Sequence, residues 1–191
     1  MSQARADNLT GVLSPFLRQR RFVAAKPYVK GRVLDFGCGP GLLAQELGLE
    51  DYVGVDSDET MLEIAAARHP RLRFLAPRDL PAIENQRFDT IVGLAVIEHL
   101  SDPIGFLQQM SKLLASDGSI VLTTPEPRLD WVHGLGGHFR LFSKESHEEH
   151  QSLMGRGELK DCAGKAGLSL VFYRRFLLGA NQLAILKRMA A

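Results

Sequence analysis

Val33 to Leu47 reads VLDFGCGPGLLAQEL, an apolar run followed at once by three alternate glycines and then a helical pattern. No other stretch of the chain restricts the fold as strongly. Arg32 to Phe36 has the composition of a buried strand and Leu42 to Leu49 the spacing of a helix, so the backbone passes from one to the other through Gly37 to Gly41. Gly37, Gly39 and Gly41 lack a Cβ, which frees the chain for positive φ and lets a ligand approach its amides closely. Pro40 presets helical φ at the start of the helix, and the free N–H groups beyond it suit a carboxylate or phosphate. In doubly wound sheets the first strand-to-helix turn lies where the strand order reverses, which is where ligands bind.

The alternation continues along the chain. Tyr52 to Val55 reads as the second strand, Glu59 to Arg68 as a helix ended by His69-Pro70, and Leu72 to Leu75 and Phe88 to Leu94 as the third and fourth strands. Ile104 to Leu114 is a helix with Ser101 or Asp102 as its N-cap and Pro103 at its first position. Asp117-Gly118 then turns the chain into a fifth strand, Ser119 to Thr123. Gly157 to Gly167 is a helix closed by Gly167, and Leu168 to Arg174 and Leu183 to Met189 make two last strands. The pattern predicts an α/β fold: a doubly wound, mostly parallel, seven-stranded sheet with helices on both faces.

A chain of 191 residues reads as one domain, large enough to bury roughly two thirds of its unfolded surface. Residues 1–29, amphipathic around Phe16, Leu17, Phe22 and Val23, are expected as a helical cap over the sheet. Pro125, Pro127 and Gly134 to Gly137 break the rhythm, so 125–147 reads as an irregular insertion. Its Trp131, Leu135, Phe139, Leu141 and Phe142 suit an apolar lid over an acceptor, or side chains packed beneath the loop.

Lys+Arg 23 balance Asp+Glu 22, so no global field draws the chain to nucleic acid or an anionic membrane. The local cluster of Arg18, Arg20, Arg21 and Lys26 reads as a solvated helix face. Cys38 and Cys162 form no framework of spacings, no basic-then-apolar leader opens the chain, and no run of about 18 apolar residues occurs. A cytoplasmic protein without a membrane span is expected.

Hydride-carrying dinucleotides ask for Gly-x-Gly-x-x-Gly, but Leu42 stands where the third glycine belongs. Here the spacing is Gly-x-Gly-x-Gly after Asp35, with Asp56 about 20 residues on at the end of the second strand, where a carboxylate can accept both hydroxyls of a ribose. A purely structural alternative has the glycines making a tight connection and Asp56 capping the next helix. The string, with VGVDSD behind it, resembles the class I S-adenosylmethionine-dependent methyltransferases from about Lys30 to the C-terminus. The resemblance implies a Rossmann-like methyltransferase fold with S-adenosylmethionine as cofactor. Asp35 would meet its amino group, Gly37, Cys38, Gly39 and Gly41 would form the floor, Asp56 would hold the ribose, and Ser57 with Asp58 would meet the adenine edge. Asp79 in APRDLP is carried over as the third-strand acid, although the family has its acid where Pro77 stands.

RFDTIVGLAVIEHLSDP, Arg87 to Pro103, resembles the segment of small-molecule methyltransferases that lines the methyl end, which brings in Leu94. His99 is the candidate general base for a hydroxyl acceptor, or else a histidine that only bonds the backbone at a strand-to-helix junction. Some relatives carry Glu-x-x-Glu-His here and bind a divalent ion. In this chain Ala95 replaces the first Glu, which leaves Glu98 and His99 to combine with His133, His138, His147 or His150, and no metal is expected. His147-Glu148-Glu149-His150 has its histidines three apart and is not His-Glu-x-x-His. EHQSLMGRGELKDCAGKAGL resembles a segment whose histidine faces the acceptor, which makes His150 a second catalytic candidate. The expectation is methyl transfer to a small molecule, at a hydroxyl oxygen. An RNA 2′-O-methyltransferase and a non-catalytic cofactor-binding partner subunit stand as alternatives.

Overall fold

The computed structural model describes residues 15–127 and 154–189. A helix over 15–25, α1, runs into one 3-10 turn at Lys26–Tyr28. Then follow β1 (Val33–Phe36), α2 (Leu42–Leu47), β2 (Tyr52–Val55), α3 (Glu59–Arg68), β3 (Arg73–Leu75) and β4 (Phe88–Leu94). The chain closes with α4 (Pro103–Leu113), β5 (Leu114–Pro125), α5 (Arg156–Lys165), β6 (Leu168–Phe176) and β7 (Asn181–Arg188). The seven strands form one sheet in the order β3-β2-β1-β4-β5-β7-β6. β1 to β5 run parallel, and β7 pairs antiparallel with both β5 and β6.

Local chemistry sets most of the boundaries. Gly48, at φ 63°, stops α2 two residues before the expected Leu49, and its N–H bonds the carbonyls of Ala44 and Gln45. Asp58 caps α3 by accepting from the amides of Thr60 and Met61. Asp102, rather than Ser101, caps α4 through the amide of Gly105. Glu158 reaches back to the Gly155 N–H at 2.7 Å to start α5, and Gly167 at φ 73° follows its end.

β5 departs from expectation. Leu114 already pairs with Phe88, residues 115–118 bulge outward, and pairing resumes at Thr90 with Ser119. The Asp117-Gly118 turn is therefore a bulge inside a longer strand. Gly118 is required there, because a Cβ would stand 2.8 Å from the Phe88 carbonyl oxygen. The 3-10 segment Pro77–Ile83, which carries Asp79, was not expected as an element.

Helices cover both faces. Phe22 of α1 and Leu43 and Ala44 of α2 pack on Val33, Tyr52 and Val92, while Ala25 meets Val121, Leu183 and Ile185. On the other face Phe106, Leu107, Met110 and Leu159 pack on Leu34, Ile91, Ile120 and Leu122. Each fully buried large side chain contributes about 1.5–3 kcal/mol. Within α1 it is Phe22 with Ala24 and Ala25 that turn inward, while Phe16 and Val23 stay exposed. Arg21 also departs from the expected solvated face: its Nε donates to Asn181 Oδ1 at 3.1 Å. From residue 128 on, the insertion expected over 125–147 lies outside the described residues, as do its aromatic side chains and His133, His138, His147 and His150. Among the described residues no helix is long and apolar enough to cross a membrane.

Candidate active site

β1 and β4 are neighbours, yet the chain leaves them for opposite faces of the sheet, so a cleft opens between their carboxyl ends. The glycine loop fills one wall. Gly37, Gly39 and Gly41 take φ values of 78°, 50° and 73°, a region costly for residues with a Cβ. Gly37 is also forced by contact: a Cβ would lie 2.5 Å from Val96 Cγ2 on the segment after β4. Beside Gly39 there is open space. The amides of Gly37 and Cys38 both donate to the Val55 carbonyl, at 2.7 and 3.1 Å, and His69 Nε2 meets the Gly41 carbonyl oxygen at 3.1 Å. The loop is thus tied to β2 and to the end of α3 before any ligand arrives.

Two acids flank it. Asp35, 3% exposed, accepts the Tyr52 hydroxyl on Oδ2 at 2.7 Å. Burial pushes its carboxyl up to about 7, the Tyr52 hydrogen bond opposes that push, and the Asp56 charge adds to it. Asp56 accepts the Gly39 N–H on Oδ2 at 2.7 Å and the Asp58 N–H on Oδ1 at 3.0 Å. Capping of α3 belongs to Asp58, so Asp56 serves the loop. Ser57 and Asp79 are exposed, Asp79 in the first turn of the 3-10 segment that follows β3. Cys38 turns its thiol inward among Val33, Leu43 and Tyr52, so its main chain is what faces the loop. Burial pushes that thiol up, with Asp35 and Asp56 adding to the effect.

The second wall begins at Leu94, half-buried at the end of β4. Ala95 takes φ 59°, unusual for a residue with a Cβ, and its N–H bonds the Thr123 carbonyl at 2.7 Å. The kink sends Val96 against Gly37 and leads into a 3-10 turn, Ile97–His99. His99 is exposed, and its N–H bonds the Val96 carbonyl at 2.9 Å. Glu98, next to it, points the other way and is 4% exposed. Burial raises its carboxyl above the usual range, against the pull of His99, Arg21 and Thr124 nearby. Its Oε2 and the Asn181 Nδ2 have no hydrogen-bond partner, and the Thr124 hydroxyl stands beside the carboxylate outside hydrogen-bond geometry. Among the described residues no three His, Cys, Asp or Glu side chains gather in a metal-holding group.

The methyltransferase domain family matches residues 10–172. The chain belongs to that family. It is 28% identical over 183 residues to a ubiquinone biosynthesis O-methyltransferase of Cereibacter sphaeroides, covering 90% of this chain and 73% of the relative. A protein of the same description from Pelagibacter ubique is 31% identical over 155 residues, 76% of this chain and 64% of the relative. Among solved structures, an S-adenosylmethionine-dependent methyltransferase of Clostridium acetobutylicum shares the fold at a TM-score of 0.66 and 13% identity, over 93% of this chain and 91% of that one. The glycopeptide N-methyltransferase MtfA, complexed with S-adenosylmethionine, also reaches 0.66, at 13% identity over 90% of this chain and 87% of that one.

This methyltransferase is an enzyme that uses S-adenosylmethionine, and its residues suit that cofactor on physical grounds. Asp35 and Asp56 feel each other's charge, so the loop favours a cation carrying a diol over the phosphates a dinucleotide would bring. Open space at Gly39 admits a ligand to the backbone. Two surface depressions, about 520 Å³ between α1 and α2 and about 420 Å³ beside Leu49 and Leu72, include neither acid nor the glycine loop. Tyr52, Arg21 and Asn181 escaped sequence reasoning. Each acts through a partner on another element, which no local pattern in the sequence signals.

Proposed function

We propose that this methyltransferase transfers the methyl group of S-adenosylmethionine to a hydroxyl oxygen of a small molecule, seated on the β4–β5–β7 side of the cofactor. The observation that supports the reading is the close approach of Val96 to Gly37, which brings the segment that bears His99 to the glycine loop. The relatives described as ubiquinone biosynthesis O-methyltransferases support oxygen as the accepting atom.

Asp35 would receive the cofactor's ammonium group, Asp56 its ribose hydroxyls and Ser57 and Asp79 its adenine end. The amides of Gly37 to Gly41 would form the floor, and Leu94 would line the methyl end. The bound cofactor supplies a methyl group already activated on a positive sulfur. The chain's own task is to hold the acceptor oxygen in line with it, an effect of several kcal/mol, and to exclude water. His99 would take the hydroxyl proton as the O–C bond forms and the C–S bond breaks, a gain of about 10²–10⁴-fold. His150 is proposed as a second acceptor-side group. A cytoplasmic site of action fits the two free thiols, Cys38 and Cys162.

The test is tritiated methyl transfer from S-adenosylmethionine to a panel of hydroxylated quinone precursors and other phenols, repeated with His99→Gln and His150→Gln. Labelled ether products, lost at least tenfold in one histidine variant, are expected. Labelling of nitrogen acceptors or RNA alone overturns the reading.

A further inference from the structure

Asp35 is a buried acid at the heart of the cofactor site, and one side chain reaches across the sheet to hold it. The β1–β2 register pairs Val33 with Tyr52 and Asp35 with Gly54, so Tyr52 lies on the same face one pleat behind Asp35. Its hydroxyl donates to Oδ2 at 2.7 Å. Tyr52 is itself 3% exposed, its ring tilted against Phe74 with centroids 5.9 Å apart, so the hydroxyl has no freedom to turn elsewhere. Gly54 keeps the space clear: a Cβ there would run into Phe74 and the Cys38 sulfur. The apolar groups packed on this face include Phe22, Leu43, Ala44 and Val92, and at its outer end His69 lies against Phe74, with ring centroids 6.3 Å apart and Nε2 on the Gly41 carbonyl oxygen. Among the described residues the titratable groups that act on the Asp35 charge are Tyr52, Cys38 and Asp56, none of them a cation.

We propose that Tyr52 is a positioning residue for cofactor binding: through Oδ2 its hydroxyl fixes the Asp35 carboxylate so that Oδ1 receives the cofactor's ammonium group. The inference rests on Asp35 as the group that meets that ammonium. The hydroxyl also acts on charge. Burial pushes the Asp35 carboxyl up to about 7 even with the Tyr52 hydrogen bond opposing it. Below that pH the empty site holds a neutral acid, and an arriving ammonium group must expel its proton. Without the hydroxyl the carboxyl keeps that proton to higher pH, and cofactor affinity falls away earlier on the acid side.

The experiment is calorimetric titration of S-adenosylhomocysteine into wild type, Tyr52→Phe and Asp35→Asn between pH 5.5 and 8. Each titration is run in two buffers of different ionisation enthalpy, so that protons released on binding are counted. Wild type is expected to weaken below about pH 7 and to release about one proton at pH 6. In Tyr52→Phe the midpoint moves up by about one pH unit, with about tenfold weaker binding at pH 7 and more proton release at pH 7.5. Asp35→Asn releases none at any pH. Should Tyr52→Phe fail to fold, replacing the tyrosines by fluorotyrosine, a stronger donor of nearly the same volume, moves the midpoint down instead. An unchanged midpoint in both overturns the role of Tyr52. Wild-type binding without proton release overturns the role of Asp35 beneath it, and absence of binding by the wild type overturns the cofactor site itself.

Discussion

Around β1, β2 and β3 the acids of the site meet donors: Tyr52 reaches Asp35, and the amides of Gly39 and Asp58 reach Asp56. Around β4, β5 and β7 the opposite holds, for Glu98 Oε2, Thr123 Oγ1, Thr124 Oγ1 and Asn181 Nδ2 lie buried without hydrogen-bond partners. An unmet buried polar atom costs about 1–3 kcal/mol, so the second half of the sheet carries more of this burden than the first, where Arg32 Nε is of the same kind but pairs with the Asp51 carboxylate at 3.2 Å. In the first half both acids already hold donors before a ligand arrives. The acceptor side proposed above lies on the second, where the unmet polar groups cluster.

The sharpest way to break this contrast is at Asp35, because its half is stable in hydrogen bonds yet strained in charge. A carboxyl raised from 3.8 to about 7 in the folded state gives stability that is complete below the unfolded value and is lost as pH rises towards 7. Wild type should therefore lose about 3 kcal/mol of stability between pH 4 and pH 7 from this group alone. Asp35→Asn should remove that loss and be more stable than wild type at pH 8, while binding S-adenosylhomocysteine about a hundredfold more weakly. Denaturant melts at both pH values check it, and a wild-type stability flat in pH contradicts it.

Next in size is the contact between the halves. Gly37→Ala adds a Cβ against Val96 and a left-handed φ penalty, and should cost about 3 kcal/mol. Val96→Ala in the same chain should restore about 1 kcal/mol, and strictly additive denaturation midpoints would show the two loops apart. Arg21→Met addresses the second half alone. It should cost about 2 kcal/mol and lower methyl transfer, because Asn181 and Glu98 lose their charged neighbour, yet leave S-adenosylhomocysteine affinity within about twofold. Equal losses in both readouts would erase the division. Smallest is Leu178→Gly at the β6–β7 turn. Leu178 is fully exposed at φ 53°, so glycine should stabilise by about 1 kcal/mol without touching either activity or affinity.

What the amino-acid order revealed cuts across the two halves. β2, α3 and β4 have the bounds expected from their local patterns, because strand alternation, the Asp58 cap and the His69-Pro70 stop act within a few residues. The glycine loop with Asp35 and Asp56 was visible for the same reason. Long-range pairing hid the rest. β5 begins at Leu114 only because Phe88 waits there as a partner. Arg21 looks like a surface cation until Asn181, 160 residues away, is folded against it. The Tyr52 hydroxyl finds Asp35 across two strands whose register no local pattern records.

The proposed site stands or falls on the cofactor lying across the glycine loop with its ribose on Asp56. Calorimetric titration of S-adenosylhomocysteine into wild type and Asp56→Ala at pH 7.5 tests it most directly. Saturable one-to-one binding by the wild type and at least tenfold weaker binding by the variant are expected, with the fold intact by circular dichroism. Equal affinity in the two proteins would contradict it.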